Sequence, residues 1–384
     1  MNNFVFQNPV KILFGRGQIA NLANEIPTDA KVLVTYGGGS VKVNGVYRQV
    51  KQALAKHTVY EFWGIEPNPR LETLMQAVEL VRSQKIDFLL AVGGGSVLDG
   101  TKFIAAAVPF AGNPWDILAK QAPITSALPL GAVMTIPATG SEMNSLFVIT
   151  KAATHHKLVR SSPLVFPRFS VLDPTITFSL PARQIGNGIV DAFTHTMEQY
   201  LTYPVNSPLQ DRMAEAILQT LIVEGPKTLA NPSDYDARAN VMWCAAMALN
   251  GLIGAGVPQD WSTHRISHEL TALYGLDHAQ SLAVILPSLM SIRQEAKREK
   301  LLQYAERVWD ITQGSQTEKI NAAINQTRRF FESVGVPTRL SAYELDGNTI
   351  PTLIQHMTSR GTVALGEKSD VSIETVEKVL ALSV

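Results

Sequence analysis

The spacing of apolar residues changes character near the middle of the chain. The first half holds short, β-rich apolar runs that we predict to be strands: 30–36, 58–64, 86–93, 128–137 and 169–174. Helical spacing separates these runs, as at 68–84, where apolar residues recur on one face. Such alternation predicts a parallel sheet flanked by helices.

From about Leu180 onward the spacing is helical almost throughout. Long amphipathic stretches run through 181–201, 207–225, 235–254 and 296–334, and strand-like runs nearly vanish. We therefore predict an α/β domain over 1–180, followed by an all-helical domain over 181–384.

The residue counts exclude several classes of protein. Lysine plus arginine equals aspartate plus glutamate, 33 each in 384 residues, so no basic excess indicates a nucleic-acid partner. The chain has no apolar run long enough to span a bilayer, and its first residues lack the pattern of a signal peptide. Cys244 is the only cysteine, which excludes an intrachain disulfide and a cysteine-built zinc site. We expect a cytoplasmic protein without a membrane partner.

The tetrapeptide GGGS occurs twice, at 37–40 and at 93–96, each time at the end of a predicted strand. Glycine lets the backbone approach a ligand closely, and the N–H groups of a helix start bind phosphate. Neither copy has the GxGxxG spacing of the ordinary dinucleotide-binding turn. Either loop taken alone is also explained by a tight turn that binds no ligand.

The first loop lacks the acidic residue that binds the ribose hydroxyls in many NAD sites. An acid there would repel a 2′-phosphate, whereas glycines and a serine would admit one. Our hypothesis is that the second loop binds the pyrophosphate and the first loop the 2′-phosphate of NADP(H). A third polar loop, at 135–145, offers hydroxyl groups and Asn144 to the same cofactor, and Lys157 offers a charge.

Histidines and one aspartate are grouped with the spacing of metal ligands. Asp191 and His195 are four residues apart, as are His264 and His268, and His278 follows shortly after. On a helix, residues four apart share one face, and a carboxylate with imidazoles suits zinc or ferrous iron. Spacing alone does not select which three histidines bind.

The remaining histidines lack metal-like neighbours. We predict that His155 and His156 lie on the surface, because adjacent residues of a strand face opposite ways. His57 and His356 are interpreted as structural.

Five stretches together resemble one protein family. They are AVGGGSVLDGTK, TIPATGSEMN, DAFTHTMEQY, NGLIGAGVPQDWSTHRISHEL and GLDHAQSLAVILP. Over essentially its whole length the chain resembles the iron-containing (group III) alcohol dehydrogenases, and most of all their bacterial NADPH-dependent butanol dehydrogenases and broad-range aldehyde reductases. The resemblance implies a dehydroquinate synthase-like architecture: an N-terminal parallel-sheet domain that binds the dinucleotide, an all-helical domain that binds the metal, and an active site in the cleft between them.

The resemblance also implies roles for individual residues. The metal ligands would be Asp191, His195, His264 and His278, while His268 would lie near the nicotinamide and relay a proton. Residues at cofactor-binding positions are Gly37, Gly38, Gly39, Ser40, Gly94, Gly95, Ser96, Asp99, Thr135, Thr139, Ser141, Asn144 and Lys157. Asp99 is assigned a catalytic role as well, together with His268.

The implied reaction is reduction of a small aldehyde by NADPH, assisted by zinc or ferrous iron, in an enzyme that is a homodimer. Three alternatives stay open: an NAD-linked polyol dehydrogenase, a dehydroquinate synthase-like lyase and a non-catalytic NADP-binding protein. A lyase of that kind would need several basic residues for a charged substrate. Apolar residues such as Trp261, Ile253 and Val257 lie near the histidines in the sequence, which favours a small apolar substrate.

Overall fold

A computed structural model describes residues 1–154 and 156–384. His155, which was predicted to lie on the surface, is outside the described residues. The described chain divides into two compact units. The sheet unit comprises Gln7–Leu180 and Pro232–Ala246, and the helical unit comprises Met1–Phe6, Pro181–Asn231 and Met247–Val384.

The sheet unit is built on parallel strands. In chain order, its strands are β1 Lys11–Phe14, β2 Lys31–Tyr36, β3 Thr58–Phe62, β4 Phe88–Gly93, β5 Leu130–Met134, β6 Leu146–Lys151, β7 His156–Ser161 and β8 Phe169–Leu172. Among the described residues, six of them form one sheet in the order β1-β8-β5-β4-β2-β3, and all neighbours run parallel. Strands β6 and β7 pair separately as an antiparallel hairpin.

Helices cover both faces of this sheet, which explains why its central strands are apolar on both sides. In chain order they are α1 Leu22–Glu25, α2 Ser40–Val43, α3 Val46–Ala53, α4 Leu71–Gln84, α5 Gly95–Ala107 and α6 Asp116–Ala119. Alternate residues of β2 and β4 enter two different apolar clusters: Leu33 and Leu89 belong to one, and Val34 and Leu90 to the other. Strand β4 is buried along its whole length.

The predicted strands are confirmed, as is the helix predicted at 68–84, which begins at Leu71. The prediction missed β1 and the hairpin of β6 and β7. The four residues of β1 are too few to show a period, and both hairpin strands carry charged or polar residues among the apolar ones. These segments pair at an edge or with each other, so they need no continuous apolar run.

The helical unit confirms the change of pattern after Leu180. The helices are α7 Ala182–Tyr200, α8 Pro208–Ala230, α9 Tyr235–Ala248, α10 Ser262–Tyr274, α11 His278–Ile292, α12 Arg298–Trp309, α13 Gln316–Ser333, α14 Thr349–Ser359 and α15 Ile373–Ser383, with most of α9 in the sheet unit. The unit also contains two strands of two residues each, β9 Ala364–Leu365 and β10 Val371–Ser372. No helix within the described residues is long and apolar enough to cross a membrane.

Candidate active-site residues

Three of the predicted cofactor loops follow adjacent strands of the sheet. The segments 37–40, 94–96 and 135–145 come directly after β2, β4 and β5, and these strands are neighbours in the order β5-β4-β2. Because the strands are parallel, their carboxyl ends lie at one edge of the sheet, where ligands of α/β proteins usually bind. The backbone N–H of Thr135 donates to the carbonyl oxygen of Gly93 at 2.9 Å, which joins two of these loops.

The first GGGS loop is open. Gly39 has a φ of 102°, a conformation that favours glycine, and it precedes the four-residue helix α2. A Cβ atom built on Gly38 would meet no other atom within 4 Å. The nearest charged residue along the chain is Lys42, whose ammonium lies 4.0 Å from the centre of the Trp63 ring, and Nε1 of that ring donates to Oε2 of Glu61 at 3.0 Å. The segment directly after β2 itself carries no carboxylate that would repel an anion.

The second GGGS loop is tightly packed. Gly94 precedes α5, and a Cβ atom on Gly95 would lie 2.4 Å from Oγ1 of Thr139 in the third loop. The N–H groups of the first turn of α5 therefore point out of a rigid strand-to-helix junction. The helix dipole and these N–H groups together favour a phosphate at this position.

A buried lysine that the sequence analysis missed joins α5 to the third loop. Nζ of Lys102 donates to Oγ of Ser141 at 2.8 Å, to Oδ1 of Asn144 at 3.0 Å and to the carbonyl oxygen of Leu146 at 2.9 Å. Burial lowers the pKa of Lys102 to about 8. Its sequence signal was a charged residue three positions after Asp99 in an otherwise apolar helix.

Asp99 belongs to the same network. Its Oδ1 accepts from Oγ of Ser141 at 2.7 Å, and its Oδ2 accepts from the backbone N–H of Val148 at 3.0 Å. Burial raises the pKa of Asp99, and the ammonium of Lys102 opposes this rise. The catalytic role of Asp99 stays a prediction. So does phosphate binding by Lys157, whose Nζ donates to Oδ1 of Asn68 at 2.9 Å.

The helical unit brings the predicted metal ligands together. One potential ligand atom from each of Asp191, His195 and His264 lies within 4.8 Å of the other two, and all three residues are buried. Helix α7 supplies the first two, four residues apart on one face, and α10 supplies the third. Nδ1 of His195 lies 3.5 Å from Oδ1 of Asp191.

The other two histidines lie beside this group. Helix α10 ends at Tyr274, the following Gly275 reverses the chain with a φ of 73°, and His278 then opens α11. Nε2 of His278 lies 3.8 Å from Oδ1 of Asp191. The ring centres of His268 and His278 are 5.3 Å apart, and both residues are half-buried.

The charge states of this cluster suit a divalent cation. Burial, followed by the neighbouring imidazole of His264, lowers the pKa of His195 to about 4, although the carboxylate of Asp191 opposes the shift. His195 is therefore neutral near pH 7, and a neutral imidazole is the form that binds metal. A buried carboxylate beside imidazoles fits zinc or ferrous iron.

Glu198 is a second residue that the sequence analysis missed. It lies on α7, seven residues after Asp191, and its Oε1 lies 3.0 Å from Nδ1 of His264. Burial raises the pKa of Glu198 to about 8, and the negative charge of Asp260 adds to the rise. The signal was its position on the face of α7 that carries Asp191 and His195.

Histidines outside the cluster make ordinary contacts. Nε2 of His57 lies 3.4 Å from the carbonyl oxygen of Ile26, and Nδ1 of His356 lies 2.6 Å from Oε2 of Glu269. These contacts agree with the structural roles predicted for both.

Comparisons with known proteins cover the whole chain. The profile described as iron-containing alcohol dehydrogenase matches residues 9–174, and the Fe-containing alcohol dehydrogenase family, C-terminal profile matches residues 186–384. The NADPH-dependent aldehyde reductase YqhD of Escherichia coli is 58% identical over 382 residues, 99% of either chain. The crystal structure of YqhD from E. coli K-12 superposes with a TM-score of 0.98 at 57% identity, covering 100% of this chain and 99% of that one. The probable NADH-dependent butanol dehydrogenase 1 of Bacillus subtilis is 41% identical over 388 residues, 100% of both chains.

Proposed function

The chain belongs to the iron-containing alcohol dehydrogenase family, and on that premise we propose that it reduces small aldehydes to alcohols with NADPH and one divalent metal ion. The observation that carries the proposal is the buried cluster of Asp191, His195 and His264 in the helical unit. The E. coli relative at 58% identity, itself an NADPH-dependent aldehyde reductase, supports it.

In this proposal Asp191, His195, His264 and His278 hold zinc or ferrous iron. When bound, the metal supplies a Lewis acid for the carbonyl oxygen, and NADPH supplies the hydride. Asp191 contributes the negative charge that imidazole ligands do not supply. His268, half-buried one turn after His264, delivers the proton to the product oxygen directly or through water.

The cofactor lies on the α/β domain, which we take as residues 1–180, while 181–384 form the metal-binding domain. Gly94, Gly95 and Ser96 hold the pyrophosphate at the start of α5. The first loop would bind the 2′-phosphate through Gly37, Gly38, Gly39 and Ser40. The other cofactor-binding positions are Asp99, Thr135, Thr139, Ser141, Asn144 and Lys157.

The preference for NADPH rests on the first loop. Relatives of this chain include an NADPH-dependent enzyme at 58% identity and a probable NADH-dependent one at 41%, so family membership does not decide the cofactor. The lack of a carboxylate directly after β2 and the lysine that follows at position 42 favour the additional phosphate.

The proposal extends to the oligomeric state and the cellular location of the protein. We infer a homodimer, since cyclic dimers are the commonest soluble oligomers. We also infer a cytoplasmic location, which agrees with a chain that has one cysteine and no excess of basic residues.

The test begins with protein stripped by a chelator and reloaded anaerobically with zinc or ferrous iron. Oxidation of NADPH and of NADH is then followed with butanal as substrate. We expect metal-dependent oxidation of NADPH, with NADH much weaker. The His264→Ala variant should lose metal and turnover together, because it removes a buried ligand. The matched control is His57→Ala, a half-buried histidine of the sheet unit, which should keep both.

Each other result contradicts a different part of the proposal. Full activity of metal-free His264→Ala protein would exclude the metal role. Equal rates with NADPH and NADH would leave the dehydrogenase intact and contradict the interpretation of the first loop. NADPH binding without turnover, with any metal and several aldehydes, would favour the lyase or the non-catalytic alternative.

A further inference from the structure

Glu198 contacts His264 at two points with a single oxygen atom. Its Oε1 accepts the backbone N–H of His264 at 2.9 Å and lies 3.0 Å from Nδ1 of the same residue. Glu198 is 3% exposed, so water does not compete for these contacts. Since α7 also carries Asp191 and His195, one helix face bears two predicted ligands and the group that contacts a third.

The contact also caps the start of α10, beside Oδ1 of Asp260, which accepts the N–H of Ser262 at 2.9 Å. The residue at its N-cap position, Trp261, has a left-handed φ of 64° and gives no side-chain cap. Glu198 supplies the missing acceptor from another helix, because the N–H of His264 belongs to the first turn, which has no intrahelical partner. The carbonyl oxygen of Glu198 also accepts the N–H of Asp260 at 2.9 Å, which fixes the segment leading into α10.

The same contact sets the imidazole. When Glu198 is ionised, Oε1 accepts both the backbone N–H and the ring N–H of His264, so Nδ1 carries the hydrogen. The lone pair of the ring then lies on Nε2, as in other proteins where a carboxylate orients a metal-binding histidine.

We propose that Glu198 is a positioning residue that acts through His264. Glu198 holds His264 in the Nδ1–H tautomer and directs Nε2 toward Asp191 and His195, where the metal would bind. The inference rests on the proposed function, because it takes His264 to be a metal ligand. Helix α7 would then supply two metal ligands and also the residue that orients a third ligand.

The test measures metal affinity in place of turnover. Zinc affinity of the stripped protein is determined by competition with a chromophoric chelator, for the parent chain and for Glu198→Gln. The amide oxygen of glutamine can still cap α10, but it is a weaker acceptor without charge. We expect zinc binding to weaken by about tenfold to a hundredfold.

The matched control is Glu215→Gln, the same substitution at a carboxylate that is also 3% exposed in the helical unit. Glu215 binds Tyr200, Arg212 and Arg307, none of which is a predicted ligand. Zinc affinity should be unchanged in this control. If Glu198→Gln and the control bind zinc equally well while His264→Ala does not, the inference is wrong and the proposed metal site stands. If the parent chain binds neither zinc nor ferrous iron, the proposed function itself fails.

A measurement on the parent chain covers the case in which Glu198→Gln does not fold. Zinc-loaded protein is labelled with ¹⁵N in its histidines, and the signals of His264 are identified by their loss in His264→Ala. A proton on Nδ1 and a metal-shifted Nε2 would support the inference. A metal-bound Nδ1 would overturn it.

Discussion

The two GGGS loops have the same four residues and different constraints. In the second loop, added Cβ atoms on Gly93 and Gly95 would lie 2.5 Å from Val97 and 2.4 Å from Thr139, respectively. In the first loop, Cβ atoms on Gly38 and Gly39 would meet nothing within 4 Å. Packing therefore requires glycine in the second loop. In the first loop the constraints are milder: a Cβ on Gly37 would lie 3.3 Å from the carbonyl oxygen of Ile65, and the backbone angle of Gly39 favours glycine.

The difference follows from what each loop packs against. The second loop opens α5, a helix of 13 residues that is buried along most of its length and tied to the third loop through Lys102. The first loop leads into α2, a helix of four residues. A rigid loop suits the pyrophosphate, which every nicotinamide dinucleotide contains, and an open loop suits the position where NADP and NAD differ.

The largest effect is expected for Gly95→Ala. Its Cβ would approach Oγ1, Cγ2 and Cβ of Thr139 at 2.4, 2.5 and 3.0 Å, so no rotation of that side chain removes the contact. We expect the free energy of unfolding to fall by about 2–3 kcal/mol, as for overpacked cores, together with weaker NADPH binding. Denaturant unfolding and cofactor titration measure both.

The control for this variant is Gly38→Ala in the first loop, which should change stability by less than about 0.5 kcal/mol, as surface substitutions do. Equal losses from the two substitutions would remove the contrast between the loops.

A smaller, selective effect is expected for Gly38→Asp. The new carboxylate would repel a 2′-phosphate and could accept hydrogen bonds from ribose hydroxyls, so the preference should shift from NADPH toward NADH by about tenfold or more. The ratio of kcat/KM for the two cofactors measures the shift, with Gly38→Ala as the uncharged control. An unchanged ratio would mean that the first loop does not contact the phosphate.

The smallest effect is expected for Gly39→Ala. The Cβ has room, but the φ of 102° is unfavourable for alanine, at a cost of about 1 kcal/mol. The difference in melting temperature between Gly39→Ala and Gly38→Ala measures the cost of the backbone angle, because a Cβ atom has room at both sites. Indistinguishable melting temperatures would show that the loop relaxes to another conformation.

Features that depend on neighbouring residues could be predicted from the sequence, whereas contacts between distant residues could not. Strands β2, β4 and β5 are buried on both faces, so each appears as an apolar run. The pairing of Asp191 with His195 follows from helical spacing. The roles of Lys102 and Glu198 were not predicted, because their hydrogen-bond partners lie 39 and 66 residues away and a local sequence pattern does not reveal contacts at that separation.

Helix α7 carries Asp191, His195 and Glu198 at intervals of four and three residues. One inserted or deleted residue inside this span would turn the following side chains by about 100° around the helix axis. A change in the length of the span would separate the three groups at once. A length change between Asp191 and Glu198 is therefore expected to abolish the metal site, whatever residue is inserted or deleted.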